Sequence, residues 1–227
     1  TQAWMRQYVR EVVTRYRDHP AIQAWEFGNE YSLQASLPNA REHRPAIHPT
    51  LGTPATRSAQ DDLSFAMVRR AYTLFATEVR RHDPDRLIFS GDSFPRLSAW
   101  HQEHENTWTT DTTEQFAENL ALANPDPLNT LTVHAYENDD QRLASAMEVS
   151  RKMNKPLFVG EFGVPGDTPE QAATCRRLLK GIIDHRIPLA ALWVFDLSSQ
   201  QDFNVTTSNP RSWQLDLIAE ANRQFKP

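Results

Sequence analysis

The sequence predicts an α/β fold in which short parallel strands alternate with helices. Short apolar runs recur along the chain, and amphipathic stretches with helical spacing lie between them. Strands that alternate with helices form βαβ units, and the strands of such units run parallel. The apolar runs lack polar alternation, which indicates strands that are covered on both faces.

Each element is placed by its apolar pattern and by its boundary residues. Apolar runs place strands at about residues 21–27, 87–90, 131–134, 156–160 and 190–194. Helical spacing places helices at about residues 4–16, 58–82, 113–122, 140–153 and 212–224. A further helix is expected from Pro169 to about residue 185, because proline suits the first helical position. Residues 91–111 are expected to form a loop rich in Trp and His.

The polar residues that could carry chemistry follow the C-terminal ends of several predicted strands, which is typical of a (β/α)8 TIM barrel. A doubly wound sheet would instead show a Gly-rich turn near its first strand, and the sequence has none. A complete barrel of this kind needs about 250 residues, whereas the 227 residues here provide five predicted strands. We therefore expect residues 1–227 to form a single catalytic-type domain, the C-terminal part of a TIM barrel lacking its first three strands. Self-association or a further N-terminal segment would then cover the open strand edges.

Composition narrows the function classes. Lys and Arg number 24 against 29 Asp and Glu, for a net charge of −5, and no basic patch indicates a nucleic-acid partner. No apolar run reaches the roughly 18 residues of a membrane span, so no membrane partner is expected. The N-terminal residues do not have the pattern of a signal peptide. Cys175 is the one cysteine, so it has no disulfide partner within the chain and is expected to pack as a small apolar residue.

Two short runs carry the strongest functional signal. Residues 25–30 read Trp-Glu-Phe-Gly-Asn-Glu, and residues 156–163 read Pro-Leu-Phe-Val-Gly-Glu-Phe-Gly. Each is predicted to be a buried strand that ends on a glutamate, Glu30 in the first run and Glu161 in the second. Alone, either residue could be an ordinary solvated glutamate, but Glu161 lies among apolar neighbours, where an unpaired carboxylate is costly. Two carboxylates held at one barrel mouth are what acid/base cleavage of a glycosidic bond requires.

Other candidate residues follow the later strands or lie in the Trp/His-rich loop. His134 and Tyr136 lie on the same side of the third strand and could line a sugar site, or could be a satisfied histidine and a rim tyrosine. Trp193 could fill the barrel or offer a flat face to a sugar ring. Trp100 and Trp108 could contact carbohydrate or belong to plain surface.

No metal or cofactor is expected from the sequence. His101 and His104 share the loop with Trp100, but clear additional metal ligands are not evident beside them. A Ser/His/Asp hydrolase is also disfavoured, because the sequence around Ser90 and Ser93 lacks the flanking glycines of a nucleophile elbow.

Together these motifs resemble clan A glycoside hydrolases, and most closely glycoside hydrolase family 5, the cellulase and β-mannanase group. The resemblance rests on residues 25–30, His134, Tyr136, residues 160–163 and Trp193, in the order of barrel strands four, six, seven and eight. It implies a (β/α)8 barrel and a retaining mechanism on a β-linked glucan or mannan. The arginine and histidine that this family carries on its early strands have no counterpart here.

The resemblance also implies roles for individual residues. Glu30 would be the acid/base and Glu161 the nucleophile. Asn29 would bond the 2-hydroxyl of the sugar, Tyr136 would donate a hydrogen bond to Glu161, and Trp193 would form the floor of the subsite at the cleaved bond. The partner implied is a carbohydrate, and the family resemblance favours a secreted or periplasmic protein.

An alternative hypothesis for the same residues is a binding function without catalysis. A non-catalytic carbohydrate-binding module, or barrel remnant, could retain the aromatic platform without turnover. Activity on β-glucans and mannans, measured against binding without product, separates the two readings.

Overall fold

The protein is described from a computed structural model, over residues 2–136 and 140–225. The chain divides into two compact units, Thr1–Thr130 and Leu131–Pro227, which we call unit 1 and unit 2. Helices alternate with parallel strands in both, as the sequence predicts. In the described residues, no helix has both the length and the apolar character that crossing a membrane would need.

Unit 1 contains a two-stranded parallel sheet and four α-helices in its described residues. In chain order its elements are α1 (Gln2–Tyr16), β1 (Ala24–Glu26), α2 (Phe65–Arg80), β2 (Leu87–Phe89), α3 (Ala99–Glu105) and α4 (Thr113–Leu122). Strand β1 pairs with β2, with Ala24 opposite Leu87 and Glu26 opposite Phe89. The long polar segment after β1 forms short 3-10 turns at Tyr31–Gln34, Ala40–His43, Pro49–Leu51 and Ala59–Asp61.

The core of unit 1 forms where α1, α2 and the strands meet. Its buried members are Val13, Ala35, Phe65, Val68, Tyr72, Ala76, Val79, Ile88, Ala99 and Leu128. Trp25 and Phe27, alternate residues of the predicted first strand, both pack against this cluster. The opposite side of α1 leaves Trp4 and Tyr8 exposed.

In the part of unit 2 that the structure describes, three parallel strands form a sheet in the order β3-β4-β5. Its elements are β3 (Leu131–Ala135), α5 (Asp140–Met153), β4 (Leu157–Phe162), α6 (Pro169–Asp184), β5 (Leu189–Leu192) and α7 (Trp213–Gln224). Every residue of β3 is buried, but β5 has alternate exposed residues. The prediction of strands covered on both faces is therefore right for β3 and wrong for β5 in this chain.

Two helix predictions need correction. The second predicted helix begins at Phe65 and not near residue 58, because Ser58 and Asp61 close a separate capping box around a 3-10 turn. Ser64 then caps α2 by accepting a hydrogen bond from the Met67 amide. The predicted loop over residues 91–111 also contains a short helix, α3.

Both glutamate-bearing strands differ from the prediction at their ends. Strand β1 ends at Glu26, four residues before Glu30, so Glu30 lies in the connection after the strand. Strand β4 continues to Phe162 and includes Glu161. Cys175 is buried in α6 as predicted, and burial raises the pKa of its thiol to about 11.

Candidate active site

Glu161 occupies the C-terminal end of β4 in unit 2. The register between β3 and β4 shifts after Val133, and this irregularity places His134 opposite Glu161. Glu161 as a whole residue is 7% exposed. A carboxylate buried to this extent is costly unless nearby donors bind it.

Two polar side chains, at the end of β3 and just beyond it, approach this carboxylate. The Tyr136 hydroxyl donates a hydrogen bond to Oε2 of Glu161, and Nδ1 of His134 lies 3.4 Å from the same oxygen. The structure thus brings together three residues that the sequence analysis singled out, and the hydrogen bond implied for Tyr136 is present. A carboxylate oriented in this way has the fixed geometry that a nucleophile needs.

Trp193 follows β5 and is held by its backbone and by its ring. Its amide donates to the Phe162 carbonyl over 2.8 Å, and its indole N–H donates to Oε1 of Gln200 over 2.7 Å. The Phe203 ring packs edge-on against Tyr136, with ring centroids 5.7 Å apart. Sequence analysis did not identify Gln200 or Phe203, although an aromatic residue in a polar loop after Trp193 was an available signal.

Glu30 lies in unit 1, in the connection after β1. Its backbone is in the left-handed region, with φ 54° and ψ 32°. Its amide donates to the Gly91 carbonyl over 2.9 Å. Glu30 is partly buried and Asn29 is exposed, so the polar pair is accessible to a ligand.

A buried polar cluster, the Asp92 cluster, lies beside this connection and consists of Ser32, Tyr72 and Asp92. Asp92 is fully buried and accepts hydrogen bonds from Ser32 and from the Tyr72 hydroxyl. Burial raises the pKa of Tyr72 above its usual range, and the charge of Asp92 adds to this effect. Sequence analysis did not identify Asp92, because its partners are 20 and 60 residues away along the chain.

Trp100 and Trp108 lie in the segment around α3. The Trp100 ring stacks on His104, with ring centroids 4.2 Å apart, and its indole N–H donates to Glu118. Trp108 is 53% exposed. His101 is bound through Nδ1 to Asp111 at 2.8 Å. These contacts hold Trp100 against His104 of α3 and Glu118 of α4. The sugar-binding role predicted for both tryptophans stays a prediction.

Comparison with known proteins identifies the family. The family model described as cellulase (glycosyl hydrolase family 5) matches residues 1–194. The chain belongs to glycoside hydrolase family 5. All the predicted site residues lie within the matched region.

Relatives of this family 5 chain include mannan-degrading and glucan-degrading enzymes. A mannan endo-1,4-beta-mannosidase F of Aspergillus clavatus is 24% identical over 169 residues. The endo-1,4-beta-mannanase from Rhizomucor miehei superposes with a TM-score of 0.63 at 18% identity, over 96% of this chain. An endoglucanase from Pseudomonas stutzeri superposes with a TM-score of 0.58 at 17% identity, over 97% of this chain. At these identities the superpositions show that the α/β fold is that of the family's TIM-barrel members.

The family 5 chain is shorter than these relatives. It covers 32% of the Aspergillus enzyme, 60% of the Rhizomucor structure and 61% of the Pseudomonas structure.

Proposed function

We propose that the chain provides the two catalytic glutamates of a retaining β-glycoside hydrolase. The supporting observation is the buried carboxylate of Glu161, which accepts a hydrogen bond from Tyr136 within a region that matches family 5. Glu161 is the proposed nucleophile and Glu30 the proposed acid/base. The proposed contacts to the carbohydrate are Asn29, His134, Tyr136, Trp193, Trp100 and Trp108.

In this mechanism Glu161 attacks the anomeric carbon while protonated Glu30 gives its proton to the departing glycosidic oxygen. Glu30 then removes a proton from water, which hydrolyses the glycosyl-enzyme with net retention. Such enzymes hold their two carboxyl groups about 5–5.5 Å apart.

The proposed substrate is a β-1,4-linked mannan or glucan. The structural relatives include an endo-1,4-beta-mannanase and an endoglucanase. Flat aromatic faces such as that of Trp193 suit either sugar ring. Residues 1–227 are proposed to act as one catalytic domain, the C-terminal part of a TIM barrel.

The decisive experiment measures reducing ends released from β-mannan and β-glucan by the chain and by single variants. Glu161→Gln should abolish turnover, and Glu30→Gln should slow it by about 100- to 10,000-fold, the usual contribution of a general acid. Azide should restore bond cleavage to Glu161→Gly, because the small anion replaces the removed nucleophile. The product is then a glycosyl azide, which has no reducing end, so this arm is followed by chromatography of the products.

Glu148→Gln serves as the control, since Glu148 is an exposed glutamate on α5. It should hydrolyse both polysaccharides like the unaltered chain. Binding of polysaccharide without any product would instead favour the non-catalytic carbohydrate-binding module, and full activity in Glu161→Gln would overturn the assignment of the nucleophile.

A further inference from the structure

Asp92 is a fully buried carboxylate that the family motifs leave without a role. It lies three residues beyond the end of β2, in unit 1. Its Oδ1 accepts from the Ser32 amide at 3.1 Å and from the Ser32 hydroxyl at 2.8 Å. Its Oδ2 accepts from the Tyr72 hydroxyl at 2.7 Å. A buried charge is costly, and these three donors offset the cost only while the cluster stays assembled.

Two of these three hydrogen bonds come from the residue two positions after Glu30. The Glu30 amide itself donates to the carbonyl of Gly91, the residue before Asp92. The dipeptide 91–92 therefore binds the backbone at both position 30 and position 32. Because β1 ends at Glu26, these bonds hold the glutamate after sheet pairing has stopped.

The backbone of Glu30 needs such support. A non-glycine residue with positive φ costs about 1–3 kcal/mol and persists where its surroundings hold it in place, and Glu30 has φ 54°. Gly91 has φ 72°, and a Cβ atom there would lie 1.7 Å from the Gly28 carbonyl oxygen. The two connections thus approach each other so closely that only glycine fits at position 91.

We propose that Asp92 is a positioning residue for the acid/base glutamate. Through Ser32 it fixes the backbone that carries Glu30, and so fixes where the Glu30 carboxyl group delivers its proton to the glycosidic oxygen. Asp92 neither gains nor loses a proton in this role and forms no bond to substrate. The inference rests on the proposed function for its catalytic part alone.

The first test measures hydrogen exchange and needs no activity. Asp92→Asn keeps the shape of the side chain but replaces one of the two acceptor oxygens with an NH2 group. The one oxygen that remains cannot take the place of both Oδ1, which accepts from Ser32, and Oδ2, which accepts from Tyr72. The amides of Glu30 and Ser32 should exchange about tenfold faster, as expected for the loss of a hydrogen bond worth about 1.4 kcal/mol. The amide of Val79, in the core of α2, should keep its rate.

The second test compares leaving groups. The dinitrophenolate of a dinitrophenyl glycoside leaves without protonation. The leaving sugar of a β-1,4-linked oligosaccharide instead needs the proton of the general acid. Asp92→Asn should therefore lower kcat/KM for the oligosaccharide about tenfold more than for the dinitrophenyl glycoside. Ser32→Ala removes a single hydrogen bond from the cluster and should change both readouts in the same direction by less, which keeps the test available if Asp92→Asn folds poorly.

Asp83→Asn is the matched control, because Asp83 is another buried, multiply bonded carboxylate of unit 1. This variant should lower the stability of the chain, and any loss of kcat/KM should be the same for the oligosaccharide and for the dinitrophenyl glycoside. Equal losses on both substrates, or unchanged exchange at Glu30 and Ser32, would overturn the role of Asp92. An unaltered chain that hydrolyses neither substrate would refute the proposed function, and the exchange rates would still decide whether Asp92 holds the Glu30 backbone.

Discussion

At the scale of single residues, the setting of Glu161 explains how a carboxylate can stay buried. Its Oε2 accepts from Tyr136 and lies beside Nδ1 of His134. Because His134 and Tyr136 are two positions apart, the sequence predicted that their side chains lie on the same side of the strand. Both side chains do approach the same oxygen of Glu161. The parity argument works here because alternate residues of a strand face the same way.

Tyr136→Phe should lower kcat on β-mannan or β-glucan by about 10- to 100-fold. A hydrogen bond to a charged group is worth about 1.5–3 kcal/mol, and its loss frees the carboxylate of Glu161 to rotate away from the reacting geometry. Initial rates at saturating substrate measure the effect.

Tyr8→Phe is the control for this change, since Tyr8 is 70% exposed on α1 and loses the same hydroxyl. Its rate should match that of the unaltered chain. Tyr136→Phe with unchanged kcat would show that the hydroxyl is dispensable for the orientation of Glu161.

The contacts of some other residues could not be predicted from the sequence. Asp92, Gln200 and Phe203 look like ordinary loop residues until their partners are known. Asp92 accepts hydrogen bonds from Ser32 and Tyr72, which the fold brings to it from distant positions in the sequence. Cys175 was predictable because its helical, apolar surroundings are local in sequence.

At the scale of elements, the ends of β4 and β5 are joined by a close backbone approach at Gly163. A Cβ atom at this position would lie 2.2 Å from the Trp193 carbonyl oxygen, which belongs to the backbone and cannot rotate away. Gly163 therefore sets how closely the segments bearing Glu161 and Trp193 can pack.

Gly163→Ala should lower the free energy of unfolding by about 1–3 kcal/mol, the usual cost of forcing extra volume into a packed site. Urea unfolding monitored by circular dichroism measures the change. Gly166→Ala is the comparison, because its Cβ would meet no atom within 4 Å and its cost comes only from a φ of 70°. A Gly163→Ala variant no less stable than Gly166→Ala would show that the backbone contact relaxes freely.

Element boundaries show which local signals the sequence carried. Helices α4 and α6 begin at Thr113 and Pro169 as predicted, and the side chains of Thr112 and Thr168 cap them. The start of α2 was misplaced, since the capping box at Ser58 imitates a helix start and leads only to a 3-10 turn. The extension of β4 through Glu161 depends on the register shift against β3, which is a property of strand pairing and not of either strand alone.

At the scale of the whole molecule, acid stability depends on carboxylates held by donors. Burial alone would raise the pKa of Asp83, but hydrogen bonds from Trp25 and Arg86 outweigh burial and hold that pKa below its usual range. The Arg44 guanidinium likewise lowers the pKa of Asp62. A depressed carboxyl pKa contributes stability above the unfolded value of about 3.9, and that stability is lost as the pH falls through the folded value.

The free energy of unfolding should therefore fall between pH 7 and pH 3, and Asp83→Asn should reduce this fall. At pH 7 the same variant should cost about 1–3 kcal/mol, because it weakens hydrogen bonds made by a charged group. Urea titrations at the two pH values provide the measurement. Asp18→Asn, at an exposed aspartate, should leave the pH dependence as it is, and an identical fall in Asp83→Asn would exclude Asp83 as a source.

The length of the chain relative to other family members is a second feature at this scale. The family match covers residues 1–194, while the chain spans 60% of the Rhizomucor enzyme. The expectation that self-association or a further N-terminal segment covers the open strand edges stays a prediction. Size-exclusion chromatography at several concentrations of the purified chain measures the first of these.

By itself the sequence determined the α/β class, the family and the identity of the two candidate glutamates, because strand runs, helix caps and short motifs are local in the chain. Tertiary structure decided the partners of each carboxylate. Hydrogen bonds from Tyr136 to Glu161 and from Ser32 to Asp92 join residues 25 and 60 positions apart. Such contacts depend on strand register and on the close approach of connections, and neither is encoded within any one segment.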